Sequence, residues 1–427
     1  CTGLVSRIAG FFYRIFLSHA IGAEGLGLYQ LILPLQGLMA ALSYTGIQSA
    51  LSRLIASRLA LQEKKEAYFS LVTGIFAAVF FSAVTGFLLF RHADFFASTI
   101  LKAPGTSDLL RLTAASIPLC AIHSCIDSYY YARKKASVPA AVQLSEQAVR
   151  IGATYILYLI FLSEGRPVTA MIAAGGSLAG EAAASLISLL MVSFHFGNHP
   201  VKEKTSVKIF PLIKDLFTLS FPISLNRILL TLLGSIEAVL IPQMLIRCGM
   251  TSSEALKIYG IFTGMALPLL LFPSTLTTSA AVMLMPSVAR MDALGDQKQI
   301  RHVTDQTFFL CMFLGFLCGS GFFLFGPFLG TLLFHSKTAG TYIRYLSFIC
   351  PFLYTNTMLA SILQGLGRPG RCLIHSAAGI LIRIFSVVFM IPAIGIRGYF
   401  YGIFLGELLL SLLHVKALKF PYRQAGD

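Results

Sequence analysis

Apolar residues run along this chain in long stretches, each close to the roughly 20 residues a helix needs to cross a bilayer. Short polar connections separate them. Twelve such stretches are read, at 3–20, 29–56, 68–90, 109–132, 138–162, 168–194, 209–246, 258–285, 307–333, 340–364, 372–393 and 398–418. Composition agrees with the pattern, because 56% of the residues are hydrophobic, only 12% are charged, and the mean hydropathy is +0.77. A soluble domain must wet half its surface and has no use for that surplus, whereas a chain dissolved in lipid requires it. The predicted fold is an all-α integral membrane protein of about twelve transmembrane helices.

The net charge of +15 does not gather into one basic patch of the kind that binds nucleic acid. It follows topology instead. Lys and Arg concentrate in the connections after even-numbered stretches, as at Arg133, Lys134 and Lys135, at Lys202, Lys204 and Lys208, and at Arg368 and Arg371. The connections after odd-numbered stretches hold fewer. By the positive-inside rule the even side is cytoplasmic, which places both termini inside a cell membrane. The eight cysteines show no CxxC or Cys/His metal spacing and read as small apolar fillers. With no Trp in the chain, Tyr29, Tyr129, Tyr130, Tyr131 and Tyr342 are the predicted interfacial anchors. The sequence opens on Cys1 rather than Met, so residues are expected to precede it, and no cleavable signal peptide is visible.

The polar interval HFGNHPVKEKTSVK at 195–208 divides the chain into six helices on either side, an N-terminal lobe 1–194 and a C-terminal lobe 209–427 with a cytoplasmic linker between them. Internal repetition supports the division: GAEGLGLY (22–29) returns as SSEALKIY (252–259), and Glu24/Glu254, Leu26/Leu256, Tyr29/Tyr259 and Ser49/Ser279 coincide at the same spacing. An even number of crossings separates the copies, so the halves are parallel and related by a pseudo-twofold axis along the membrane normal. Two such bundles around a central cavity predict alternating access rather than a channel.

Charged groups at helix centres cost about 2.5–3.5 kcal/mol on insertion scales, so those retained face a cavity or a partner. The first stretch places Arg7, Gly10 and Arg14 on one face, where two like charges invite an anionic ligand; the plainer reading has Arg7 snorkelling to the interface. The fifth carries Gln143, Glu146, Gln147 and Arg150 as a polar stripe, either a self-satisfied Glu–Arg pair or a wall for a polar headgroup. The seventh carries Asn226, Arg227 and Glu237, the eleventh His375 and Arg383. Arg150 and Arg227 are candidates to support Arg7 and Arg14, with Gln143, Glu146, Gln147, Asn226 and Arg383 as polar lining. Glu181, Glu237 and Glu407 are isolated acids of the kind a proton or Na⁺ site needs, and pairing with Arg is their alternative role. The chain has no P-loop, DDxxD, HExxH or GxSxG, which leaves no usual signature of ATP hydrolysis, prenyl transfer, or zinc or serine hydrolysis. No metal or cofactor is expected.

The segment SRIAGFFYRIFLSHAIGAEGLGLYQLILP (6–34) resembles stage V sporulation protein B-like polysaccharide biosynthesis proteins, of the multidrug/oligosaccharidyl-lipid/polysaccharide (MOP) flippase superfamily. So do residues 128–150, 222–245 and 259–289. The resemblance implies a MATE-like pair of six-helix lobes, a polyprenyl-pyrophosphate-linked sugar or peptidoglycan precursor as substrate, and coupling to H⁺, Na⁺ or the membrane potential. In the lipid II flippase branch the first helix carries S-R-x-x-G-F-x-R; Ser6, Arg7, Gly10 and Phe11 match, and the second arginine falls one position later, at Arg14. The resemblance therefore implies that Arg7 and Arg14 meet the pyrophosphate. Many members have fourteen helices, so the last pair is expected to be missing here. A multidrug/cation antiporter and a non-transporting scaffold for envelope or spore-coat synthesis are the alternatives, and a monomer is expected.

Overall fold

A computed structural model describes residues 2–198 and 209–419, so most of the predicted linker lies outside the described residues. Fourteen main helices are named here: α1 (Thr2–Ala20), α2 (Gly22–Ser43), α3 (Thr45–Ala60), α4 (Lys64–Arg91), α5 (Ser107–Ala132), α6 (Ser137–Ser163), α7 (Met171–Asn198), α8 (Ile209–Arg247), α9 (Ser252–Leu271), α10 (Ser274–Ala293), α11 (Gln297–Phe334), α12 (Lys337–Gly365), α13 (Pro369–Phe389) and α14 (Ile396–Lys419). Among the described residues ten helices are long and apolar enough to cross a membrane: α2, α4, α5, α7, α8, α9, α11, α12, α13 and α14. The remaining long helices, α1 and α6, carry the charges Arg7 and Arg14 and the pair Glu146 and Arg150. With α2–α3 and α9–α10 each taken as one bent crossing, these make the expected twelve.

The bends correct the sequence reading, which treated 29–56 and 258–285 as unbroken. α2 and α3 part at Tyr44, beside Gly46, whose backbone is pressed so closely against Ser224 of α8 that a Cβ has no room. α9 and α10 part at Pro273, which lacks the N–H needed to continue the ladder. Both breaks fall at nearly the same place in the 230-residue repeat. α11 also begins ten residues before its apolar stretch, because Asp296 accepts from the Gln299 amide at 2.9 Å and caps the polar turns that follow. At 38 residues α11 is about 57 Å long, well beyond a hydrocarbon core of about 30 Å, so its QKQIRHVTDQ end extends past the apolar span.

Packing groups the chain into two units that differ from lobes drawn at the linker: Cys1–Tyr13 with Leu28–Ser235, and Arg14–Gly27 with Ile236–Asp427. The first half of α8 belongs to the first unit because Ser224 meets Gly46, Ser235 donates to the Pro34 carbonyl (2.9 Å), and Asp215 pairs with Arg58 (3.0 Å). The core of this unit is built from α3, α4 and α5 around Leu51, Ile55, Leu71 and Ile126. In the second unit the start of α2 packs on its own repeat partner, α9. Ser253 donates to Glu24 at 2.6 Å, Gly27 lies against the Leu256 carbonyl, and Gly260 lies against that of Ala23. The rest of its core joins α10, α11 and α12 through Ala281, Cys311, Met358 and Leu359.

The outer faces are those of a protein in lipid. α4 exposes Phe76, Phe80, Phe87 and Phe90 while Gly74, Ser82 and Gly86 face inward; α11 exposes Phe309, Phe313, Phe316 and Phe328 while Gly315, Gly319 and Gly330 are buried. Small residues inside and large apolar ones outside is the arrangement that close helix packing in a bilayer favours. The tyrosine anchors are in part corrected, since Tyr129, Tyr130 and Tyr342 are buried in helix packing and Tyr131 is exposed.

Candidate functional site: two intramembrane charge networks

In the first unit α6 and α7 approach along a glycine seam. A Cβ on Gly176 would collide with Thr154 and with the Arg150 carbonyl (2.9 Å), and one on Gly180 would sit 3.0 Å from the Glu146 carbonyl. That seam brings Glu181, next to Gly180, onto the polar stripe of α6. Arg150 pairs with Glu146 one turn away on its own helix and with Glu181 on α7 (3.2 Å), and reaches Gln147 at 3.4 Å. Glu181 is held from the other side by His123 of α5, whose Nε2 lies 2.9 Å from Glu181 Oε2. His123 Nδ1 faces Asp127 Oδ2 at 3.7 Å. Tyr13 of α1 hydrogen-bonds to Thr154 at 3.0 Å, and Gly10 lies against Gln147, so α1 packs on the same face of α6.

The second unit repeats the design with changed parts. α13 and α14 meet along Gly402, which touches Ser386, and Gly406, where a Cβ would lie 3.0 Å from the Gly379 carbonyl and 3.1 Å from the Arg383 side chain. Arg383 binds Glu237 of α8 with two parallel hydrogen bonds, Nε to Oε1 (2.7 Å) and Nη2 to Oε2 (3.0 Å), and reaches Glu407 of α14 at 3.4 Å. Tyr399 donates to Glu237 Oε1 (2.7 Å). Asn356 of α12 donates to Glu407 Oε2 (2.8 Å), and its own carbonyl accepts from Ser411 (2.7 Å). Arg150/Arg383 and His123/Asn356 are each 233 residues apart, and GSLAGE (176–181) recurs as GIFLGE (402–407).

The predicted site residues thus separate into two classes. Glu146, Gln147, Arg150 and Glu181 come together in one network, and Glu237, Arg383 and Glu407 in the other. Arg7, Gln143, Asn226 and Arg227 are exposed. Arg7 and Arg227 make no ion pair among the described residues, while Arg14 is half-buried and engaged in contacts of its own. His123, Asn356, Tyr399 and Ser411 were not singled out for the site from the sequence. The GxxxGE recurrence sets α7 on α14, but at an offset of 226 residues it does not reach from His123 to Asn356, which lie 233 apart, so that pair has no direct signal in the sequence. Cys120 is more than filler, since its sulfur, a His123 nitrogen and a Glu181 oxygen lie within 4.8 Å of one another. Outside the membrane spans, Arg58 is drawn down by partial burial, but Glu63, Glu66 and Asp215 outweigh this and raise its pKa, so it stays charged.

The fold is that of known transporters. A multidrug resistance MATE family transporter of the MOP superfamily, in an inward-facing conformation, superposes with a TM-score of 0.68 at 16% identity, over 99% of this chain and 96% of that one. Lipid II flippase MurJ, inward closed, superposes with a TM-score of 0.73 at 14% identity, over 98% and 87%. The class so defined is a multi-pass, all-helical membrane protein with the fold of those transporters. The matching family model, over residues 1–292, is that of the polysaccharide biosynthesis proteins, and the chain belongs to that family. It is 28% identical over 424 residues to Stage V sporulation protein B of Bacillus subtilis (strain 168), covering 96% of this chain and 80% of the relative.

Proposed function

We propose that this protein moves a polyprenyl-pyrophosphate-linked oligosaccharide or peptidoglycan precursor across the cytoplasmic membrane by alternating access, as a monomer with both termini cytoplasmic. The observation that carries the reading is the division of the intramembrane arginines. Arg150 and Arg383 are occupied by carboxylates, whereas Arg7 and Arg227 are exposed on helices of a membrane protein with no acid paired to them among the described residues. A guanidinium held in that setting matches a diphosphate, which it can grip with two parallel hydrogen bonds. Arg7 and Arg14 on one face of α1 and Arg227 on α8 make the phosphate contacts, and Asn226 and Gln143 offer hydrogen bonds to sugar. Arg150, with Glu146 and Gln147 beside it, sets the wall behind them. The acid networks around Glu181 and around Glu237, Arg383 and Glu407 carry the coupling to H⁺, Na⁺ or membrane potential.

The test is flipping of a fluorescent polyprenyl-diphosphate sugar in vesicles holding the purified chain. Arg7→Ala and Arg14→Ala should each slow it about tenfold or more while the protein still inserts and folds; unimpaired flipping in both would refute the phosphate assignment. The MATE-like fold favours one alternative, a multidrug/cation antiporter. That reading predicts cation-dependent efflux of aromatic dyes that survives loss of Arg7 and fails on loss of Glu181.

A further inference from the structure

We propose that the His123–Glu181 pair of the first unit is a proton-binding site, and that its repeat-related counterpart, Asn356–Glu407, is a copy locked in fixed charge. This deepens the coupling part of the proposed function by naming the ion and the residue that takes it. Both pairs hold the glutamate of a GxxxGE segment through one of its carboxylate oxygens, at 2.9 Å from the imidazole and 2.8 Å from the amide. An amide can make that hydrogen bond but cannot change charge. An imidazole can do both.

Charge counting gives the direction. In the second unit Arg383 faces Glu237 and Glu407, leaving one uncompensated negative charge. In the first, Arg150 faces Glu146 and Glu181, and Asp127 adjoins His123, so a neutral imidazole leaves two and an imidazolium leaves one. Protonation of His123 therefore brings the first network to the charge at which the second is built. Excess charge inside a membrane protein is costly, so the more negative state favours taking up a cation.

The hydrogen bonding places the proton. Glu181 only accepts, so Nε2 of His123 carries the hydrogen that lies between them, and in the neutral ring Nδ1 is then a bare lone pair. That lone pair is aimed at a carboxylate 3.7 Å away, and both His123 Nδ1 and Asp127 Oδ1 are buried without a hydrogen-bond partner. A proton arriving from water binds at Nδ1, turns the facing lone pair into a donor to Asp127, and leaves the Nε2–H bond to Glu181 in place. The side chains of His123 and Asp127 are 14% and 17% exposed, so neither is fully enclosed by protein. The other titratable and charged groups that face the pair are Cys120 on α5, Glu146 and Arg150 on α6, and Tyr44 at the start of α3. In the second unit His375 and His414 pack on one another with ring centroids 5.1 Å apart, and neither has a hydrogen bond or ion pair to Glu237 or Glu407 among the described residues.

The experiment reads the proton directly, without transport, so it succeeds or fails independently of the flippase reading. The full chain in lipid nanodiscs, with ¹⁵N-labelled histidine, is titrated between about pH 5 and 10, a range wide enough to span histidine ionisation in proteins. The signal absent from His123→Asn should pass from imidazolium to neutral imidazole within that range. Glu181→Gln, which keeps His123 in place, should weaken its proton affinity about tenfold or more. Asn356→His should add a second such titration in the other unit. A His123 signal that keeps one protonation state across the range, or one indifferent to Glu181→Gln, overturns the proposal. Tight Co²⁺ binding with thiolate absorption lost in Cys120→Ser also overturns it, by making the Cys120, His123 and Glu181 group a metal site.

Discussion

The two charge networks use the same helices of the repeat and the same arginine and glycine-seam glutamate, yet they solve the burial of charge differently. Around Arg383 the second acid comes from a different helix, Glu237 of α8, and grips the guanidinium by both oxygens while Tyr399 and Asn356 fill the remaining acceptor positions. Around Arg150 the second acid, Glu146, sits on the arginine's own helix, at the position that Gly379 occupies in the other copy. The first network is left with a titratable imidazole and unpartnered polar atoms, and the second is hydrogen-bonded nearly throughout. A fully satisfied network fixes one geometry, whereas a partly satisfied one can respond to a proton. On the proton-site proposal, one network is an anchor and the other the part that changes state.

The largest effect that sharpens this contrast is expected for Arg383→Ala. It strands Glu237 and Glu407 in the interior, and loss of one partner of a buried ion pair costs about 3–5 kcal/mol; collapse of folded yield in detergent, with a lowered melting temperature, is the readout. Arg150→Ala should cost less, about 1–3 kcal/mol, because His123 can take a proton beside the stranded acids. Its melting temperature should recover on mild acidification, and that of Arg383→Ala should not. Equal losses with equal pH dependence would erase the distinction between the networks. Gly27→Ala is next, forcing a Cβ onto the Leu256 carbonyl where α2 crosses α9, at about 1–3 kcal/mol of overpacking by thermal unfolding. The smallest effect is Phe76→Leu on the lipid face of α4, within about 0.5 kcal/mol, since lipid solvates either side chain.

Much of the architecture was legible because lipid imposes a length on every apolar run, and twelve runs became twelve crossings. What hydropathy could not give was where a crossing bends. Pro273 marks one bend in the sequence, but the bend at Tyr44 lies beside Gly46, which packs on Ser224, nearly 180 residues away in the chain. The interlobe linker was likewise a fair reading of polarity, yet the first half of α8 packs in the first unit through Ser224, Asp215 and Ser235, none of which announces its partner locally. In the site, Glu146 and Arg150 were readable as a helical i,i+4 pair. His123 was not, since a lone histidine on the apolar helix α5 carries no periodic signal. The GxxxGE recurrence was present all along and pairs Glu181 with Glu407 without structural help.

The central claim is that Arg7 and Arg227, to which no acid is paired among the described residues, hold a diphosphate while Arg150 and Arg383 hold the fold. The most direct measurement is the flipping rate of a polyprenyl-diphosphate sugar in vesicles containing Arg7→Gln/Arg227→Gln, taken together with the variant's melting temperature. Flipping should fall about tenfold or more, the loss of a charge-assisted contact or two, while the melting temperature stays at that of the parent chain. Undiminished flipping, or a loss that merely tracks unfolding, would contradict the account.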